Sequence, residues 1–147
     1  QKRSIATKIL LRKALKENFG VEDYILKRDE NQKPILDFCY LSFSHTENMA
    51  FCAVSDTPVG IDAEKNRPFK KRDKYHFFSE NENTYVNSSS NANLSFLEIW
   101  TRKEALFKCS DISSCELSMV SVMSDFDGYS FKTEFFDGYI ISICLKK

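Results

Sequence analysis

The chain has 147 residues with equal numbers of acidic and basic side chains, so its formal net charge is zero. That excludes the broad basic field of a nucleic-acid binder, and a bound anion must be held by a local cluster. Hydrophobic residues at 42% and charged residues at 29% suit one soluble domain with a sizeable core, and no apolar run is long enough to span a bilayer.

In chain order, Ile5, Ile9, Leu10 and Leu15 recur at helical spacing and predict a helix over Ser4–Asn18, stopped by Gly20. Val21–Arg28 reads as a short strand and Asp29–Pro34 as a polar turn. Strands are expected at Phe38–Phe43 and Met49–Val54 around a Ser44–Asn48 turn, then at Val59–Glu64 after the Thr57–Pro58 break. Lys65–Lys74 is a basic loop. Tyr75–Val86 reads as a short helix with a capping box, Ser79 followed three residues later by Glu82. Asn87–Asn93 has the composition of a flexible linker. Leu94–Lys108 is the strongest helix, and Leu117–Leu145 alternates as three strands with turns at Asp127–Gly128 and Asp137–Gly138. Helices with antiparallel hairpins define an α+β domain.

Cys39, Cys52, Cys109, Cys115 and Cys144 are odd in number and lack metal-ligand spacing. With no signal-peptide pattern, they are read as reduced thiols of a cytoplasmic protein. The 13 phenylalanines are core material first.

Chemistry concentrates in two stretches. In Val59-Gly60-Ile61-Asp62-Ala63-Glu64, strand periodicity turns Val59, Ile61 and Ala63 to the core and puts Asp62 and Glu64 together on the other side. Carboxylates about 7 Å apart on one strand face repel unless a cation sits between them. Hard oxygen ligands suit magnesium, whose shell is completed by water and substrate phosphates; two solvated surface acids are the alternative. In Phe96-Leu97-Glu98-Ile99-Trp100-Thr101-Arg102-Lys103-Glu104-Ala105-Leu106-Phe107-Lys108, Lys103 falls inside the apolar stripe and must snorkel or find a buried partner. Glu104 and Lys108 are one turn apart. They form either a surface ion pair or a third metal carboxylate with a phosphate contact.

Together these stretches resemble the 4′-phosphopantetheinyl transferase superfamily. Its signature is a G-[IV]-D-x-E strand, then a W-x-x-K-E-A helix with a lysine four residues past the glutamate. Here that is Gly60-Ile61-Asp62-Ala63-Glu64, about 35 residues containing Phe77-Phe78-Ser79-Glu80, then Trp100-Thr101-Arg102-Lys103-Glu104-Ala105 and Lys108. Tyr40-Leu41-Ser42-Phe43-Ser44-His45-Thr46 is similar to the family strand ending in Ser-His-Ser, and Gln32-Lys33-Pro34 to its Gly-Lys-Pro turn. Thr46 and Gln32 depart from that pattern, as does Cys109–Cys115, which stands where the family has a glycine-rich turn beside the pantetheine channel.

The resemblance is closest to the larger, Sfp-like class of two pseudo-repeated halves. It implies that residues 1–56 are the later part of the first half, on the nucleotide side, and that residues 57–147 are the second half, with the metal site and catalytic helix. A strand and helices of the first half are expected before Gln1. By the same resemblance, Asp62, Glu64 and Glu104 hold Mg²⁺. Arg3, Lys33, Pro34, Ser44, His45 and Lys108 contact coenzyme A, with Arg3 and Lys33 on the 3′-phosphate end. Glu104, Lys108 and His45 are the catalytic set. Transfer of phosphopantetheine to a serine of an apo acyl or peptidyl carrier protein is implied, leaving adenosine 3′,5′-bisphosphate. The serine proton goes to Glu104 or to a metal-activated water.

Phe69, Lys70, Lys71, Arg72 and Lys74 are a candidate docking surface for an acidic carrier or a plain solvated loop. A monomer is expected, without nucleic-acid or membrane partners. The alternatives are a non-catalytic homologue that binds coenzyme A or a carrier, another metal-dependent phosphoryl enzyme such as a nucleotide hydrolase, and a pure interaction domain.

Overall fold

The computed structural model describes residues 2–68, 70 and 75–147, with the side chains of 2–4 outside that set. It is an α+β fold. Helix α1, Lys2–Phe19, ends where Gly20 takes φ 67°, a left-handed conformation that glycine adopts at little cost. Leu11 and Leu15 on α1 are fully buried, whereas Ile5 and Ile9 are 58% and 63% exposed. The expected apolar face holds at Leu15 and is corrected at Ile5 and Ile9: Thr7, Leu11 and Leu15, spaced by four, are the residues the helix turns inward.

The strand expected over Val21–Arg28 shrinks to β1, Lys27–Arg28, because its only ladder is with β2, Pro34–Ile35. The turn between them is built by Asp29, whose Oδ1 accepts from the N–H groups of Asn31 at 2.9 Å and Lys33 at 2.8 Å. Gln32 sits at φ 62°, which accounts physically for a glycine being favoured there.

Strands β3, Tyr40–His45, and β4, Ala50–Ser55, form an antiparallel hairpin from Tyr40↔Ser55 to His45↔Ala50. Ser44 and His45 thus belong to the strand and not to the turn expected there, which begins at Thr46, whose N–H donates to Met49 O at 2.9 Å. Strand β5, Val59–Lys65, is the edge of a second antiparallel sheet. It pairs with β7, Tyr139–Lys146, which pairs in turn with β6, Tyr129–Phe136. A tight Asp137–Gly138 turn joins β6 to β7.

Helix α3, Ala92–Cys109, covers that sheet, and α2, Glu80–Ser88, packs against α3. Both halves of the expected capping box form at α2, Ser79 with the Glu82 N–H and the Glu82 carboxylate with the Ser79 N–H. The linker expected over Asn87–Asn93 is mostly taken into helix, because Asn91 caps α3 by accepting from the Leu94 N–H. Gly60 lets α3 lie directly on β5: a Cβ there would stand 1.9 Å from the Ala105 carbonyl oxygen. The face of the sheet carrying Gly60 and Asp62 is therefore the one packed under the helix, correcting the expectation that only the Val59–Ile61–Ala63 side is buried. Asp62 is 7% exposed.

Lys103 is fully buried and pairs with fully buried Glu82 at 2.8 Å. It also donates to Leu117 O at 2.6 Å and to Val120 O, while Glu82 accepts from the Val122 N–H at 2.7 Å. Here lies the reason that the tail forms two strands and not three. The backbone of residues 117–122 is satisfied by these two side chains and a 3₁₀ turn at Leu117–Met119 instead of by a ladder. Among the described residues, no helix is long and apolar enough to cross a membrane.

Candidate active site

Strand β5 and helix α3 bring the acidic residues together. Asp62 Oδ1 receives Lys108 Nζ at 2.8 Å and the Ser44 hydroxyl at 3.2 Å. Lys108 also donates to Ile61 O at 2.9 Å. Asp62 Oδ2 is buried with no hydrogen-bond partner among the described residues. Burial pushes the Asp62 carboxyl up, against the opposing charge and hydrogen bond of Lys108 and the hydrogen bonds of Ser44 and the Ala63 backbone. Lys108, expected to pair with Glu104 or to wait for phosphate, is thus also engaged with the strand.

Glu64 lies two residues along the same strand face. Its carboxyl is pushed up by burial first, then by the Asp62 charge, and further by Glu104; a hydrogen bond from the Trp100 side chain and the charge of Arg67 oppose this. Glu64 is therefore within electrostatic reach both of Asp62 on its own strand and of Glu104, 40 residues further along the chain. Among the described residues, no three His, Cys, Asp or Glu side chains are placed so that they could hold a metal ion together. In chemical type the carboxylates nonetheless suit a hard divalent ion. Asp62 and Glu104 both repel Glu64, one buried carboxylate oxygen lacks a hydrogen-bond partner among the described residues, and magnesium keeps several waters and completes its shell with phosphate oxygens.

A groove of about 540 Å³ runs beside this cluster, with Lys33, Pro34, Lys108, Ser110 and Asp111 among its walls. The Lys33 ammonium lies 5.6 Å over the Phe107 ring, which tethers a mobile cation at the rim. Pro34 and Phe43 also line a neighbouring concavity of about 400 Å³, which His45 enters with Lys8 and Arg28. Lys33, Pro34 and Lys108 thus share one groove, and exposed His45 lies in the next. Ser44 is not among the described residues lining either; it stands behind the strand at Asp62. The side chain of Arg3 is outside the described residues, as are Phe69, Lys71, Arg72 and Lys74, so the expected docking segment is left with only exposed Lys70.

Lys8 and Arg28 are basic groups that motif reasoning passed over. Recognising Thr7 and Leu11 as the inward positions of α1 would have placed Lys8 on the flank beside them. The Cys109–Cys115 segment begins with an ordered helix end: Ser110 caps α3, its N–H donating to Leu106 O at 2.9 Å. All five cysteines are free thiols.

A sheet edge and a helix thus set Asp62 against Lys108, next to a groove whose walls carry Lys33 and Lys108 together with Asp29 and Asp111. Residues 58–146 match the model of the 4′-phosphopantetheinyl transferase superfamily, and the chain belongs to that family. It is 35% identical over 111 residues to a protein of Aneurinibacillus migulanus named 4′-phosphopantetheinyl transferase gsp, a match covering 72% of this chain and 47% of that protein. A Bacillus pumilus protein named 4′-phosphopantetheinyl transferase psf-1 is 28% identical over 114 residues, covering 73% of this chain and 49% of its own length. The chain spans about half the length of these curated relatives.

Proposed function

We propose that this chain carries the metal and transfer site of a phosphopantetheinyl transferase, which moves the 4′-phosphopantetheine group of coenzyme A to a serine of an acyl or peptidyl carrier protein. The observation that carries the reading is the Asp62 carboxylate, held by Lys108 on one oxygen and without a hydrogen-bond partner among the described residues on the other, beside Glu64, which is itself within electrostatic reach of Glu104. Family membership and the names of both relatives support it.

Asp62, Glu64 and Glu104 would hold Mg²⁺, which when bound neutralises charge on the pyrophosphate of coenzyme A. The remaining work falls to the chain. Lys33 and Lys108 line the groove and offer charge-assisted hydrogen bonds to phosphate oxygens. His45, Lys8 and Arg28 surround the adjoining concavity and suit a second anionic group. The carrier serine oxygen bonds to the phosphorus that bears pantetheine; the bond from that phosphorus to the bridging oxygen breaks, and adenosine 3′,5′-bisphosphate leaves. Such a reaction is mostly positioning and charge neutralisation. Glu104 is the carboxylate assigned the serine proton.

Incubation with coenzyme A, Mg²⁺ and an apo carrier should add the mass of phosphopantetheine to the carrier. Glu104→Gln should abolish most of that gain; full turnover in this variant would remove Glu104 from both metal and proton roles. Release of a nucleotide product without any carrier present would favour a nucleotide hydrolase instead.

A further inference from the structure

Alternation along β3 sets Ser42 and Ser44 on one face of the strand, toward the edge of β5. The Ser42 hydroxyl accepts from the Ile61 N–H at 3.1 Å, and the Ser44 hydroxyl accepts from the Ala63 N–H at 3.1 Å. Both are buried, and each satisfies a strand-edge donor that has no ladder partner. Only Ser44 does more. With a lone pair committed to Ala63, its single proton points to Asp62 Oδ1, 3.2 Å away. Opposite Ser42 the strand offers Gly60 and no acid.

Two side-chain donors, Ser44 and Lys108, therefore converge on Oδ1, while Oδ2 is enclosed and has no hydrogen-bond partner among the described residues. A carboxylate could share its donors between both oxygens. Leaving one buried oxygen bare is costly, and such a group calls for an explanation.

We propose that Ser44 is a positioning residue: it turns the Asp62 carboxylate so that Oδ1 stays with protein donors and Oδ2 is presented to the divalent cation. This rests on the transferase reading and gives Ser44 a task other than touching coenzyme A. The hydroxyl reads the backbone of β5 and the side chain of Asp62 at once, so the orientation of the carboxylate is tied to how β3 docks on β5.

The test is manganese(II) binding to the full chain with coenzyme A present, followed by loss of the free-ion EPR signal. Alongside it, coenzyme A affinity is measured in EDTA and Tm for every variant. Ser44→Ala should weaken manganese binding about 10-fold or more, the usual effect of losing a partner of a metal ligand. Ser44→Thr, which keeps the hydroxyl, should restore it. Ser42→Ala removes an equivalent N–H partner and should lower Tm without changing manganese affinity, which separates positioning from stability. If Ser44→Ala does not fold, Ser44→Cys, close in size but a weak donor, should show the same loss. Coenzyme A affinity in EDTA should be unchanged in the Ser44 variants; Ser42 lines the groove, so its variant is read by manganese affinity and Tm alone. Wild-type manganese affinity in Ser44→Ala, with Asp62→Asn losing it, would overturn the positioning role and leave the transferase reading standing. A loss confined to coenzyme A affinity would also overturn it. A wild-type chain that takes up no manganese would overturn both.

Discussion

The two parts of this molecule are held together by different means. Around α3 and the three-stranded sheet, one cluster of buried residues runs from Phe78 through Phe96, Leu97 and Trp100 to Ile140 and Cys144. Around α1 and the β3–β4 hairpin, the corresponding cluster among the described residues is Leu11, Leu15, Leu36 and Cys39. The first part buries charge as well as apolar surface, in the Lys103–Glu82 pair; the second leaves Ile5, Ile9 and Ile25 largely exposed. They meet at a polar seam, where two serine hydroxyls take the place of a backbone ladder. The difference teaches that rigidity is concentrated under the carboxylates, while the groove wall supplied by β2 and β3 is more lightly anchored.

The sharpest way to break that contrast is Glu82→Gln. It strands the Lys103 charge in the interior, and removing one partner of a buried pair costs about 3–5 kcal/mol. Chemical denaturation should show that loss, together with faster exchange of amides in residues 117–122. Next is Leu15→Ala in the small cluster, with an expected cost of about 3 kcal/mol. If the two parts differ as described, hydrogen exchange should rise across α1 while α3 keeps its protection; equal loss in both would contradict the difference. Gly60→Ala drives a methyl into the Ala105 carbonyl and should cost about 1–3 kcal/mol. Because α3 carries Glu104 and Lys108, carrier modification should fall further than Tm suggests.

The smallest effect concerns Glu64, whose folded carboxyl is raised above its ordinary value of 4.5 by burial and by Asp62. A raised carboxyl binds its proton more tightly when folded, so its contribution is complete below pH 4.5 and is lost as pH rises through the folded value. Above that value Glu64→Gln should stabilise the metal-free protein, by less than about 1 kcal/mol given solvent screening at a half-exposed group. The gain in Tm should vanish below pH 4.5, and a variant less stable than wild type at neutral pH would reverse the sign.

Much of the site was legible because its signals are local. The strand at Val59–Glu64, though not its in-and-out alternation, and the length and apolar stripe of Leu94–Lys108 survive as β5 and α3, and Ser79 with Glu82 announces the start of α2. What stayed hidden depends on contacts between distant segments. Ile5, Ile9 and Thr7, Leu11, Leu15 are both helical patterns, and only the hairpin under α1 selects between them. Lys108 reaches back 46 residues to Asp62, a choice that spacing within α3 cannot reveal. The extended third strand of the tail was a reasonable reading of alternation, yet its carbonyls are claimed by Lys103. Ser44 looked like a ligand contact because Phe43 and His45 beside it line the grooves; its hydroxyl goes instead to Asp62 and the Ala63 N–H, contacts that cross between two strands.

The Glu82–Lys103 pair also constrains how sequences of this kind can drift. Buried ion pairs can often be exchanged for two apolar side chains with no loss. Here the same two side chains serve the N–H groups of Ser79 and Val122 and the carbonyls of Leu117 and Val120. A Leu–Met replacement would take away the partner of three main-chain groups, the Ser79 and Val122 N–H and the Val120 carbonyl, while the Leu117 carbonyl would keep only the Val120 N–H, so the route open to most buried pairs is closed. Any viable exchange must bring hydrogen-bonding atoms of its own, and neither position can change before the other.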